Sequence, residues 1–141
     1  MSIVLADVGA ARILETYFKG IPATAGTTLS LRLFANDLTP TDTTALGAFT
    51  EAAGGGYARK TLIASECTVS SSGIPSATYP SQTYVFTGPL DTNPSIYGYY
   101  VVDADGVLIY AERSVAPITP AIPNDAIEII PVFKLSKGIP T

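Results

Sequence analysis

Twelve carboxylates hold most of the chemistry open to this chain. Hydrolysis of a glycosidic bond needs only two facing carboxyl groups, so composition leaves that reaction open. No pair, however, stands in a context that marks a cleft. Asp103 and Asp105 flank a hairpin turn, where Asp is common for backbone reasons. They also suit a hard cation, but no third oxygen ligand follows at a recognisable spacing. Glu112 and Arg113 face opposite sides of a strand end and read as surface or interface charges. Cys67 has no basic neighbour in sequence to activate it. Histidine and tryptophan are both absent. Without His, and with one Cys, neither a Cys/His zinc site nor a Ser-His or Cys-His nucleophile pair can form. Gly54, Gly55 and Gly56 resemble a phosphate cradle only superficially, because a strand pattern follows them instead of a helix and lysine. The residues therefore assign no catalytic group, no metal and no cofactor.

The eight tyrosines carry more information. Tyr97, Tyr99, Tyr100 and Tyr110 concentrate in one stretch. Tyrosine buries a large ring while its hydroxyl seeks a polar partner, which suits subunit interfaces. It also suits stacking on sugar rings, although without tryptophan that signal is weak. Tyr97, Tyr99 and Tyr110 are the candidate contact residues here.

The element that positions them spans residues 96–113. Two β-branched and aromatic runs, 96–102 and 107–112, enclose Asp103, Ala104, Asp105 and Gly106. Asp105-Gly106 supplies the left-handed backbone of a tight hairpin. Both arms are apolar on both faces, which places them at the centre of a sheet. Gly98, among bulky neighbours, marks a bulge or a close approach of another chain.

Around this hairpin the chain reads in order. Residues 7–19 form an N-terminal helix with Val8, Ala11, Leu14, Tyr17 and Phe18 near one face, and Gly20 and Pro22 stop it. Leu14, Tyr17 and Phe18 are candidates for contact with a neighbouring subunit. A strand covers 29–35 with its leucines inward. A second, short helix is expected over 42–53, with Leu46 and Phe49 buried. Strands follow at 57–63 and weakly at 66–69. Residues 70–80 read as a long surface loop, 82–87 as a strand with Tyr84 and Phe86 on one face, and 88–94 as a loop. Pro117, Pro120 and Pro123 recur every third residue, which favours a stiff polyproline-like arm, and all three join the candidate contacts. A last strand runs over 126–135, with Pro131 at an edge or bulge.

Turn-separated strands without alternating helices argue for a mainly antiparallel fold. The expectation is a β-sandwich of about seven strands, residues 28–135, with the N-terminal α-helix, 7–19, packed on it. Residues 1–141 form one domain, and no linker divides them. The net charge is −4, and charged residues make up 14% of the chain, against roughly 25% in ordinary soluble proteins. With no basic patch, nucleic acid is not an expected partner. No segment approaches the roughly 20 apolar residues of a membrane span. The N-terminus lacks the features of a signal peptide, so synthesis in a cytoplasm is expected. So little charge leaves Thr, Ser, Gly and Pro to solvate the surface, or leaves much of it to meet other subunits.

The order of these segments resembles a known group. Leu31-Arg32-Leu33-Phe34-Ala35-Asn36-Asp37-Leu38-Thr39-Pro40 is followed by Ala48-Phe49-Thr50-Glu51-Ala52 and Gly56-Tyr57-Ala58. Later come Ile96-Tyr97-Gly98-Tyr99-Tyr100-Val101-Val102-Asp103-Ala104 and Tyr110-Ala111-Glu112-Arg113. The pattern covers roughly residues 29–135 and is similar to small structural proteins of tailed bacteriophages. Tyr110 departs from it, since many relatives carry tryptophan there. The resemblance implies a virion accessory protein, most like a head decoration (cement) protein. Such a protein sits on the capsid surface, is made in the host cytoplasm, and bridges capsomers as a homotrimer bound to the major capsid protein. A tail, baseplate or fibre component that binds host glycans is the alternative. A carboxylate-dependent hydrolase is the third reading.

Overall fold

The central hairpin forms as its residue types require. The first arm, Ile96–Asp103, and the second, Leu108–Ile118, pair antiparallel, with Val101 opposite Tyr110 and Tyr100 opposite Ala111. Gly106 closes the turn at φ +83°. The structure is a computed structural model that describes residues 3–18 and 28–135.

Ten strands and one α-helix lie among the described residues. They are β1 (Ile3–Leu5), α1 (Asp7–Phe18), β2 (Thr28–Phe34), β3 (Lys60–Ile63), β4 (Thr68–Ser70), β5 (Ser76–Thr78), β6 (Gln82–Val85), β7 (Ile96–Asp103), β8 (Leu108–Ile118), β9 (Ala126–Ile129) and β10 (Val132–Lys134). The hairpin β7–β8 stands inside a five-stranded sheet of order β1-β8-β7-β2-β3. A three-stranded sheet, β10-β5-β4, and a ribbon, β6-β9, complete the strands. Every named strand pair is antiparallel.

The large sheet is buried on both faces, as its two-sided apolar arms anticipate. One face presents Leu31, Leu33, Leu62, Tyr99, Val101 and Tyr110 to Tyr84, Phe86, Ile127 and Phe133 from the smaller sheets. The other presents Phe34, Tyr100, Val102, Leu108 and Ala111 to Ala6, Phe49, Leu38 and Leu46. The result is a mainly β, sandwich-like packing with the N-terminal helix against one side. Each fully buried leucine contributes about 1.5–3 kcal/mol.

Gly9 sets the seating of α1. A Cβ there would lie 2.5 Å from the Ile109 carbonyl oxygen and 2.7 Å from its Cα. The residue that weakens the helix intrinsically is the one that lets it rest on the β8 backbone.

One element is unanticipated and three expectations need correction. First, β1 precedes the helix and pairs with β8, Leu5 opposite Tyr110. Three residues are too few for a periodicity to announce a strand. Second, residues 42–53 contain only a single 3-10 turn, Leu46–Ala48. The Asn36 side chain donates to the Ala48 carbonyl at 2.9 Å and accepts the Thr50 N–H at 2.8 Å. Ala35 and Ala52 then pair with Thr50 and Leu33, so the chain runs extended beside β2 and swings Phe49 under the sheet. Third, β5 lies inside the expected loop 70–80 and pairs with both β4 and β10. Fourth, the last strand is two strands in different sheets, β9 and β10, separated by buried Pro131. Proline has no N–H for a ladder, so the strand breaks there.

Candidate contact surface

The uncharged run 114–124 is the surface feature that stands out. Between Gly98–Arg113 and Ile96–Ile118 the register of the β7–β8 ladder shifts. Residues 114–117 therefore bulge from β8 against Tyr97 alone. Val115 is left 88% exposed. A hydroxyl pair, Ser95 Oγ to Thr119 Oγ1 at 2.6 Å, closes the base of the bulge. Beyond it the Asp125 carboxylate accepts the N–H groups of Ala121 and Ile122 at 2.7 and 3.1 Å. Those bonds hold the Asp125 carboxyl below its ordinary range and push Ile122 outward, 62% exposed. The outcome is a ridge carrying Val115, Ile118 and Ile122, with no charged residue from 114 to 124 and the Asp125 carboxylate at its foot. The polyproline arm is thus corrected. Pro117 belongs to β8, Pro120 is fully buried, and Pro123 lies exposed in the turn.

One concavity adjoins the ridge, and a second adjoins the first. A cavity of about 230 Å³ lies between Ile118, Ile127, Ile129 and the Tyr99–Glu112 pair. A wider groove of about 750 Å³ opens between β1 and β10. Tyr99, Glu112 and Ile130 line both. The Tyr99 hydroxyl donates to Glu112 Oε2 at 2.5 Å. Burial, reinforced by that carboxylate, pushes the Tyr99 phenol up. Glu128 also lines the smaller cavity and accepts from Ser81. In this cavity the carboxylates available to a hydrolase are Glu112 and Glu128, and Asp7 and Asp42 line a separate concavity of about 480 Å³.

The other tyrosine candidates separate. Tyr97 is half-buried, with the Arg113 guanidinium 5.3 Å from its ring centre. Arg113 also reaches the Leu38 carbonyl at 2.8 Å and Asp37 at 2.6 Å, so it ties β8 to the chain after β2. Tyr110 is 2% exposed, packed at 5.4 Å on Phe133 and 6.3 Å on Tyr99. It is a core residue and offers no contact surface. Its phenol, pushed up by burial, makes no hydrogen bond to the described residues. The side chains of Leu14, Tyr17 and Phe18 lie outside the described residues. Sequence reasoning missed Val115, Ile118, Ile122, Ile130, Ile74 and Leu135. The signal available for the first three was the absence of charge from 114 to 124.

The remaining charges serve the fold. Asp103 closes the hairpin turn as expected, its Oδ1 accepting from Asp105 and Val107 N–H, and it also meets Arg12 of α1. No metal-binding group of three or more Asp, Glu or Cys occurs among the described residues. Gly54, Gly55 and Gly56 all take positive φ and form a sharp connector.

Glu51 accepts both Arg59 Nε at 2.7 Å and Arg59 NH2 at 2.8 Å, and the Tyr57 hydroxyl at 2.9 Å. Partial burial raises its carboxyl, but those bonds outweigh it, and the carboxyl sits below its ordinary value. A lowered carboxyl stabilises the fold above its unfolded pKa and loses that contribution as pH falls through the folded one. Arg59→Gln is expected to be less stable at pH 6 by under about 1 kcal/mol, because the arginine is exposed. Thermal midpoints of the two proteins should converge as pH falls toward 3, and a constant gap would contradict the assignment.

Comparison with protein families, with curated proteins and with solved structures returns no match for this chain.

Proposed function

We propose that this protein is a capsid decoration, or cement, protein of a tailed bacteriophage. It binds the outside of the assembled head as a homotrimer, bridges neighbouring copies of the major capsid protein, and makes or breaks no covalent bond. The observation that carries the reading is the exposed, uncharged ridge 114–124 with Val115, Ile118 and Ile122. Such a ridge adheres through buried area and shape. An interface of roughly 1,600 Å² is stable on its own, and many copies on one shell add avidity. The segment pattern described above supports the same reading.

The test is to mix the protein with undecorated heads and image the particles. Density over the capsomers is the expected result, and density confined to the tail would favour the tail or fibre reading instead. Val115→Asp and Ile122→Asp sharpen the test. Both positions are exposed, so stability should hold within about 0.5 kcal/mol. An uncompensated carboxylate pressed into an apolar contact is costly, so binding to heads should fall at least about tenfold. Undiminished binding by both variants would remove the ridge from the contact.

A further inference from the structure

The groove between β1 and β10 has a lining that specifies an occupant. Ile3 and Leu5 form one wall, Val132 and Phe133 the other, with Ile74 and Ile130 exposed beside them. Both flanking strands are outermost in their sheets. Such edges present free backbone groups to an added extended segment. Glu112 is the carboxylate of this groove, and Lys134 of β10 also lines it. Glu112 is half-buried, accepts the Tyr99 hydroxyl, and has no cation within ion-pair distance among the described residues. A partly desolvated carboxylate in an apolar wall favours a cation beside it.

The chain itself contains a segment of that chemistry. Lys-Gly-Ile-Pro occurs twice, at 19–22 and at 137–140. The second copy begins two residues beyond Leu135, and Leu135 lines the groove. In an extended strand, residues two apart share a face, so Lys137 and Ile139 would present a cation and an aliphatic group together. Six extended residues reach up to about 20 Å. That reach allows the segment to extend to the groove of a neighbouring copy.

We infer that this groove receives residues 136–141 of a second copy of the chain, with Lys137 against Glu112 and Ile139 against the apolar walls. Each copy's segment enters the next copy's groove, and such a head-to-tail contact forms a ring when the rotation between copies closes, as a trimer requires. This deepens the trimer in the proposed function. Its test uses no particle, so the exchange can fail while shell binding stands, and the reverse.

The experiment is the mass of the full chain in solution by light scattering, across a concentration series. The wild type is expected to associate. Lys137→Glu and Glu112→Lys should each raise the dissociation constant by at least about tenfold, while the double variant regains most of the association. Excess synthetic Ser-Lys-Gly-Ile-Pro-Thr should lower the mass of the wild type. Lys137→Glu lies outside the described core, so it remains informative should Glu112→Lys fail to fold. A monomeric wild type, an unaffected Lys137→Glu protein, or a double variant no better than the single variants would overturn the inference.

Discussion

Replacing Gly98 with alanine should lower the thermal midpoint by roughly 10 °C. A Cβ at this position would stand 2.1 Å from the Glu112 carbonyl oxygen and 2.7 and 2.8 Å from two Phe34 ring carbons. Neither neighbour yields cheaply. The carbonyl is β8 backbone, and moving it opens the ladder to β7. Phe34 is fully buried, edge-on to Phe49 at 5.2 Å and tilted to Tyr100 at 6.4 Å, while Phe49 stacks on Tyr100 at 4.6 Å. Overpacking a core costs about 1–3 kcal/mol, and a backbone clash lies at the top of that range. The measurement is thermal unfolding by circular dichroism. A Phe34→Leu change in the Gly98→Ala background should recover only part of the loss, because it relieves the ring and not the carbonyl. An unchanged midpoint in Gly98→Ala would show that the sheet is not packed as described.

Much of this arrangement was legible in the residues, for identifiable reasons. The hairpin β7–β8 announced itself because its apolar runs are long and its turn carries Asp-Gly. Gly98 announced a bulge or close approach, and the approach occurs at Gly98 itself, against the Phe34 ring and the Glu112 carbonyl, while β8 bulges opposite the neighbouring Tyr97. The leucines of β2 and the Tyr84–Phe86 pair obeyed a period of two and are buried together. What stayed hidden was short or held by distant partners. β1 and β5 have three residues each and exist because β8, β4 and β10 offer them edges. The region 42–53 has helical spacing, yet two hydrogen bonds from Asn36 pull it straight. The period of three in the prolines was real, but β8 captured Pro117 and the core captured Pro120. Tyr110 looked like an interface residue because side-chain chemistry does not tell an inner aromatic from an outer one. The register of β8 against β1 and β7 decides that, and register is a tertiary property.

The contact surface follows from that register. Because four residues of β8, 114–117, stand where β7 has one, Tyr97, the ridge is raised without any loss from the sheet beneath it. The two core faces stay closed while Val115 and Ile122 stand clear. Substitutions on the ridge and in the core should therefore separate cleanly: the first act on association and the second on stability.

The Asp103–Arg12 link should reveal itself through a hierarchy of variants. Asp103 is buried; its Oδ1 accepts the N–H groups of Asp105 at 3.0 Å and Val107 at 2.9 Å. Its Oδ2 makes no hydrogen bond and is balanced by Arg12 Nε, 3.4 Å away on α1. Alanine at 103 removes both acceptors and one anionic partner of the arginine, at a cost of about 3 kcal/mol. Asparagine keeps an acceptor for the turn and loses only the charge, so about 1 kcal/mol is expected. Arg12→Ala leaves a buried carboxylate unpaired, which is costly, though the pair is long and the arginine partly exposed. Backbone bonds between Asp103 and both Val107 and Gly106 survive every variant, so the hairpin itself persists. The loss should appear where the link acts, as faster hydrogen exchange in α1 with the β7–β8 amides still protected. Combining Asp103→Ala with Arg12→Ala should cost clearly less than the sum of the two, since the second change removes a partner already gone. Strict additivity would mean that the helix is held by Gly9 and its seat on β8 alone.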